Sequence, residues 1–170
     1  MTRGLLLTLT EPPPAMEEEF NAWYDDEHLP ERLAIPGFRS ARRWVADVAP
    51  GEGKYLATYE LDSPDVLVSA AYLARFEGAT PWTRRCLDRA VVFKRWACAQ
   101  ASPGTADPHP AAKAVLLLTG DAPITAPARS AALQSRQFVA SDGKPAHVTL
   151  VEFAGVPATG AGRVYRAYGA

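Results

Sequence analysis

The sequence predicts an α+β fold in which an antiparallel sheet of βαββαβ order carries its helices on one face. A degenerate second half or a second chain completes it to a barrel. Three observations carry this expectation. Between Gly4 and Cys98, segments with a two-residue apolar period and segments with a helical period follow one another in that order. Clusters at Pro12-Pro13-Pro14, Pro36-Gly37 and Pro50-Gly51 punctuate them. The run Ala114-Val115-Leu116-Leu117-Leu118-Thr119 then repeats the character of the first strand. With 170 residues and 48% hydrophobic content, the chain can bury a sizeable core.

Gly4 to Thr10 is a leucine-rich strand, stopped where the prolines remove backbone donors. Ala15 to Leu29 stacks Met16, Phe20, Trp23 and Tyr24 on one helical face, and Glu17, Glu18 and Glu19 suit a helix N-terminus. Pro30 ends or restarts that helix, which leaves His28 in its last turn, and Ile35-Pro36-Gly37 turns the chain. Phe38 to Val48 and Lys54 to Leu61 read as a hairpin of strands two and three. Ser63-Pro64 caps a helix over Val66 to Phe76, broken at Gly78, with a second piece from Pro81 to Arg89. Val91 to Cys98 is strand four, with Val91, Phe93 and Arg95 on one face and Val92, Lys94 and Trp96 on the other. This order is that of a ferredoxin-like sandwich, whose bare sheet face must be covered.

The expected organisation is a ferredoxin-like unit over residues 1–99, a Pro/Ala/Ser/Gly-rich linker over 100–112, and a degenerate half-repeat over 113–170. In that half-repeat Ala126 to Leu133 suits a short helix, and Gln137 to Ser141, His147 to Phe153 and Val164 to Tyr168 suit strands.

A formal net charge of -1 offers no field for phosphate backbones or acidic membranes, so neither nucleic acid nor membrane is an expected partner. No run approaches the roughly 20 apolar residues of a membrane span, and the N-terminal leucines are too few for a signal peptide. A cytoplasmic location is expected. Cys86 and Cys98 match neither a disulfide framework nor a zinc knuckle and are read as free structural thiols. His109 and His147 lie far from His28 in the chain, so no metal site is expected. No Gly-rich phosphate loop or nucleophile elbow is present.

The block Trp23-Tyr24-Asp25-Asp26-Glu27-His28-Leu29-Pro30-Glu31-Arg32, followed by Ile35-Pro36-Gly37-Phe38, resembles the EthD-like branch of the dimeric α+β barrel superfamily. Lys54 to Leu61 and Thr80-Pro81-Trp82-Thr83 extend the resemblance, which covers roughly Leu5 to Cys98. It implies two sheets packed face to face, from two chains or two halves, with a substrate cavity on the bare face. Activities implied include cofactor-free monooxygenases, cyclases, isomerases and dehydratases. The second half has no counterpart of the Trp23 to Arg32 block, so one active site is expected if the halves form one barrel.

His28 is the candidate acid/base, because imidazole alone has an unperturbed pKa near neutrality. Phe20, Tyr24 and His28 share one helical face, and Asp25 is the candidate orienting carboxylate. The competing reading is a surface histidine favoured by the helix dipole. Asp25, Asp26 and Glu27 beside Arg32 read as a solvated face. Trp44, Tyr55, Tyr59, Trp82, Phe93 and Trp96 are candidate aromatic walls, and Arg43, Arg95 and Lys94 candidate anchors for a phenolate or carboxylate. The expected function is a cofactor-independent cyclase, isomerase or dehydratase acting on a small apolar or aromatic substrate. The alternatives are cofactor-free oxygenation of phenols or anthrones, and a non-catalytic ligand-binding or stress-associated barrel. A homodimer is the other way to cover the bare face.

Overall fold

The computed structural model describes residues 2–125, 131–157 and 162–169. Among them, eight strands run as β1 (Gly4–Glu11), β2 (Phe38–Val45), β3 (Tyr55–Leu61), β4 (Val92–Ser102), β5 (Ala114–Gly120), β6 (Ala132–Asp142), β7 (His147–Phe153) and β8 (Arg163–Ala167). They close into one barrel in the order β1-β3-β2-β8-β5-β7-β6-β4, and every pairing is antiparallel. The second half closes the sheet through β4 with β6 and a short β2–β8 pairing, Trp44 opposite Ala167 and Val45 opposite Arg166. The bare face is therefore covered within the chain.

The helices are α1 (Glu17–Trp23), α2 (Leu29–Leu33), α3 (Ala70–Glu77) and α4 (Pro81–Asp88). Two boundaries differ from expectation for local reasons. Ser63-Pro64 opens a 3₁₀ turn over Pro64–Val68, and the helix itself starts after Ser69, whose hydroxyl accepts from the Tyr72 amide at 3.2 Å. Strand β4 runs on to Ser102, into the segment expected to link the halves, because Gln100 and Ser102 find ladder partners in Phe138 and Gln137. The helix expected over Ala126 to Leu133 lies outside the described residues over 126–130, and Ala132 and Leu133 begin β6. None of the helices described is long and apolar enough to cross a membrane.

Three cores follow from the two-residue period of strands buried on both faces, the smallest being Ala114, Leu116, Val151 and Phe153 on β5 and β7. Leu5, Leu7, Leu56, Trp96, Phe138, Leu150 and Tyr165 fill the barrel interior. Leu6, Tyr55, Tyr59 and Leu61 point outward and pack under Phe20, Trp23, Tyr24 and Tyr72 of the helical layer. Gly37, in the turn before β2, has φ of +92°, and a Cβ there would lie 2.5 Å from Val66 Cγ2, so only glycine fits.

At one end of the interior Arg136 of β6 joins the two halves. Its guanidinium donates to both oxygens of Glu60 on β3 at 2.9 Å and, through Nε, to Glu152 on β7 at 2.9 Å. All three side chains are at most 5% exposed. Glu152 also accepts from Gln134 at 2.8 Å and from the His109 amide at 2.6 Å, so the surplus negative charge is hydrogen-bonded.

Arg136→Ala strands two buried carboxylates and is expected to cost about 3–5 kcal/mol in urea unfolding. Arg136→Met combined with Glu60→Gln should recover a large part of that loss. A single-variant loss within about 1 kcal/mol would show that the cluster does not tie the halves together.

Candidate functional site

Pro30 shapes the site before any side chain does. A proline cannot donate to the carbonyl four residues back, and its ring crowds that carbonyl. The helix answers with a π-helical turn over Tyr24–His28, in which the Leu29 amide donates to the Tyr24 carbonyl, and resumes as α2. His28 is therefore mid-helix. The widened turn aims it inward to 8% exposure, which removes the surface-histidine reading.

The ring lies 4.4 Å from Trp23, 5.0 Å from Tyr24 and 6.4 Å from Tyr59, centroid to centroid. It faces a cavity of about 80 Å³ between the helical layer and the outward face of the sheet, walled by Leu6, Tyr59, Tyr72 and Phe93. Phe76 and Phe93, both half exposed, also line it. Its Nδ1 is buried with no hydrogen-bond partner. Burial first, then the Arg32 and Arg43 guanidiniums, lowers its pKa to about 3. The imidazole is thus neutral at physiological pH. Burial also keeps the Tyr59 phenol protonated far above its ordinary value. Tyr59 donates to the Tyr24 oxygen at 3.5 Å, and Tyr24 meets Thr8 at 3.3 Å.

The helical wall is fastened by Glu27, which sequence reasoning placed on a solvated face. Thr80 and Thr83 donate their hydroxyls to its Oε1 at 2.5 and 2.9 Å, and the Trp23 indole donates to Thr83 at 3.0 Å. These bonds pin the start of α4 beside the π turn.

Of the predicted residues, Tyr24, His28, Tyr59, Phe93 and Arg95 line the cavity. Asp25 does not orient His28: it is half exposed and accepts from Arg43 at 2.7 Å. Arg43 also donates to Asn21 at 2.5 Å and lies over the Tyr24 and Tyr168 rings, away from the cavity. Trp44 and Trp96 fall on the opposite strand phase, inside the barrel, where Trp44 donates to Thr58 and Trp96 to the Pro145 carbonyl, both at 3.0 Å. Tyr55 turns to Glu17, Phe20 is buried behind it, and Trp82 packs at the core margin. Lys94 shares Trp96's side of the sheet, lining a different opening. The cavity accordingly lies under the helices and not on the bare face.

Sequence reasoning missed Arg32, Tyr72, Arg75 and Phe76 in the lining. Arg32 carried a signal: it follows His28 by four residues and so shares its face. Cys86 and Cys98 are buried free thiols, pushed up to about 11 and about 12 by desolvation. Among the described residues no three His, Cys, Asp or Glu side chains cluster as metal ligands.

No protein-family model matches the chain, and no curated protein matches it. Among solved structures it is similar to an anthrone oxidase-like protein, at 10% identity and a TM-score of 0.60 over 98% of this chain and 91% of that one. It is also similar to an EthD family protein from Bacillus halodurans C-125, at 15% identity and a TM-score of 0.40 over 56% of this chain and 96% of that one. The first likeness extends over nearly the whole chain and establishes the shared α+β barrel fold.

The burial of His28 carries a pH signature. The unfolded chain binds a proton on this ring below about 6.5, whereas the folded protein resists until about 3. The native state's advantage is full above 6.5 and drains as pH falls toward 3, by up to about 1.4 kcal/mol per pH unit. His28→Leu should flatten that limb in a melting-temperature series from pH 7 to 4. An unchanged limb would mean the ring is protonated in the native state.

Proposed function

We propose that the chain is a cofactor-independent enzyme that takes a small apolar or aromatic substrate into the cavity under the helices, where His28 moves a proton. The observation that supports this most is the orphaned Nδ1 of a buried, neutral imidazole facing an aromatic-walled cavity. A buried polar atom without a partner is costly, and a ligand supplies the missing one.

A neutral imidazole suits a shuttle: it accepts a proton as the transition state develops and, once charged, returns it to a neighbouring substrate atom. Isomerisation, cyclisation and dehydration need that out-and-back transfer. Tyr59, held as a neutral phenol, would turn its hydroxyl from the Tyr24 oxygen to a developing oxyanion. On this reading residues 1–99 are a ferredoxin-like unit that supplies the site, and 113–170 supply the cover of its bare face.

The shared fold with an anthrone oxidase-like protein favours a second reading, oxygenation of an electron-rich phenol or anthrone after the same proton is removed. Both readings begin with deprotonation and part at oxygen consumption.

The purified protein is expected to catalyse proton–deuterium exchange next to the carbonyl of small aromatic ketones, followed by NMR in heavy water. His28→Gln should slow exchange by about 10²–10⁴-fold while melting no lower than the parent. An oxygen electrode separates the two enzymatic readings. Equal exchange by parent and variant would leave a ligand-binding barrel as the better account.

A further inference from the structure

We propose that the occupant of the His28 cavity carries an anionic oxygen, a carboxylate or an enolate-like group, received by Arg32. This deepens the proposed function by naming the substrate class and rests on the cavity being a ligand site.

Arg32 is 8% exposed, its Nη1 is buried with no hydrogen-bond partner, and no carboxylate of the described residues lies within 4.0 Å of it. Its neighbours are the rings of Tyr72 and Phe76, whose centroids lie 5.5 and 5.6 Å from the guanidinium carbon. Arg43, equally buried at 8%, marks the contrast: it has Asp25 and Asn21 as partners. Aromatic faces offset part of the cost of a desolvated cation, but they do not satisfy its N–H donors.

The rest of the lining has the same bias. It includes Arg32, Arg75 and Arg95 and not one Asp or Glu. Arg95 is held from outside by Asp142 at 2.6 Å and donates to the Tyr72 hydroxyl at 3.3 Å, yet its Nε is buried without a partner. Arg75 reaches only Glu31, at 3.9 Å. Two buried guanidinium nitrogens and one imidazole nitrogen, all without partners, thus belong to residues that line one cavity. A neutral apolar occupant would leave the guanidinium nitrogens unpaired, whereas an anionic oxygen accepts from their N–H groups. At about 80 Å³ the cavity holds little more than a small ring, so the anionic group and its first ring enter while the remainder lies between Phe76 and Phe93.

The probes are benzoate and its neutral analogue benzamide, titrated by calorimetry against the parent protein, Arg32→Gln and Arg32→Met. The parent should prefer benzoate at least tenfold, with the preference shrinking as sodium chloride is raised. Both variants should lose the preference and keep benzamide affinity. Arg32→Met should also melt no lower than the parent, since it removes an unpaired buried cation. Equal binding of the two probes by the parent overturns the anion assignment and leaves the cavity as a ligand site. Binding of neither probe removes both readings. A preference for benzoate that survives in folded Arg32→Gln would exclude Arg32 as the receiving group. The parent's two titrations decide the anion assignment even if a variant does not fold.

Discussion

In β3, Tyr59 and Glu60 are chain neighbours on opposite sides of one sheet. Tyr59 walls the cavity under the helices, and Glu60 receives Arg136 inside the barrel. The constraint is the two-residue period of a strand buried on both faces: a slip by one residue would exchange the polar contents of the two sides. β1 bears the same constraint, with Leu5, Leu7 and Leu9 inward and Leu6 outward. The register of each ladder thus places the wall of the His28 cavity and the charge cluster that joins the halves. The two are separated by the thickness of a single sheet.

The helical layer adds a second constraint, set by one residue. Without Pro30 the helix through Tyr24 and His28 would keep its regular winding, and His28 would not be turned toward the sheet by an inserted π turn. The cost of that irregularity is borne by side chains already committed to it: Trp23 stacks on His28, and Glu27 binds the threonines that open α4. The same turn carries Asp25 to the outer side, where it serves Arg43. One local defect thus sorts the block into inward and outward halves, a division that helical spacing by itself does not reveal.

The order of strands and helices through β4 was legible because leucine alternation and Pro/Gly punctuation are local signals. So was the echo of β1 at Ala114. The extent of β4 was not, since Gln100 and Ser102 are strand residues only by virtue of β6, which lies more than thirty positions away. The cluster of Glu60, Arg136 and Glu152 was hidden for a related reason. Each is charged, yet shares the inward phase of Leu56, Phe138 or Leu150, and only the closed barrel reveals the three as partners. That Tyr24 and His28 line one cavity was legible from their four-residue helical spacing. Trp44 and Trp96 were assigned to the cavity because aromatic character does not report which sheet face a residue occupies. Arg32 was taken as one partner in a surface ion pair, because acidic neighbours in sequence need not be neighbours in space.

His28 and Arg32 look wasteful as parts of a fold. A leucine and a methionine in their places would avoid an orphaned ring nitrogen and an unpaired buried guanidinium, and the surrounding aromatic residues would pack against either. The expense nevertheless falls on two side chains four residues apart, in one cavity, beside the only π-helical turn among the described residues. The two other buried arginines among the described residues are paired: Arg136 has two glutamates, and Arg43 has Asp25 and Asn21. A sequence that satisfies its buried cations in two places and leaves one open in a third is not short of carboxylates to do so. Of the five buried side-chain nitrogens without a partner among the described residues, three belong to residues lining this cavity, the others being Arg3 Nε and Trp82 Nε1, and that concentration is what an incoming ligand would relieve.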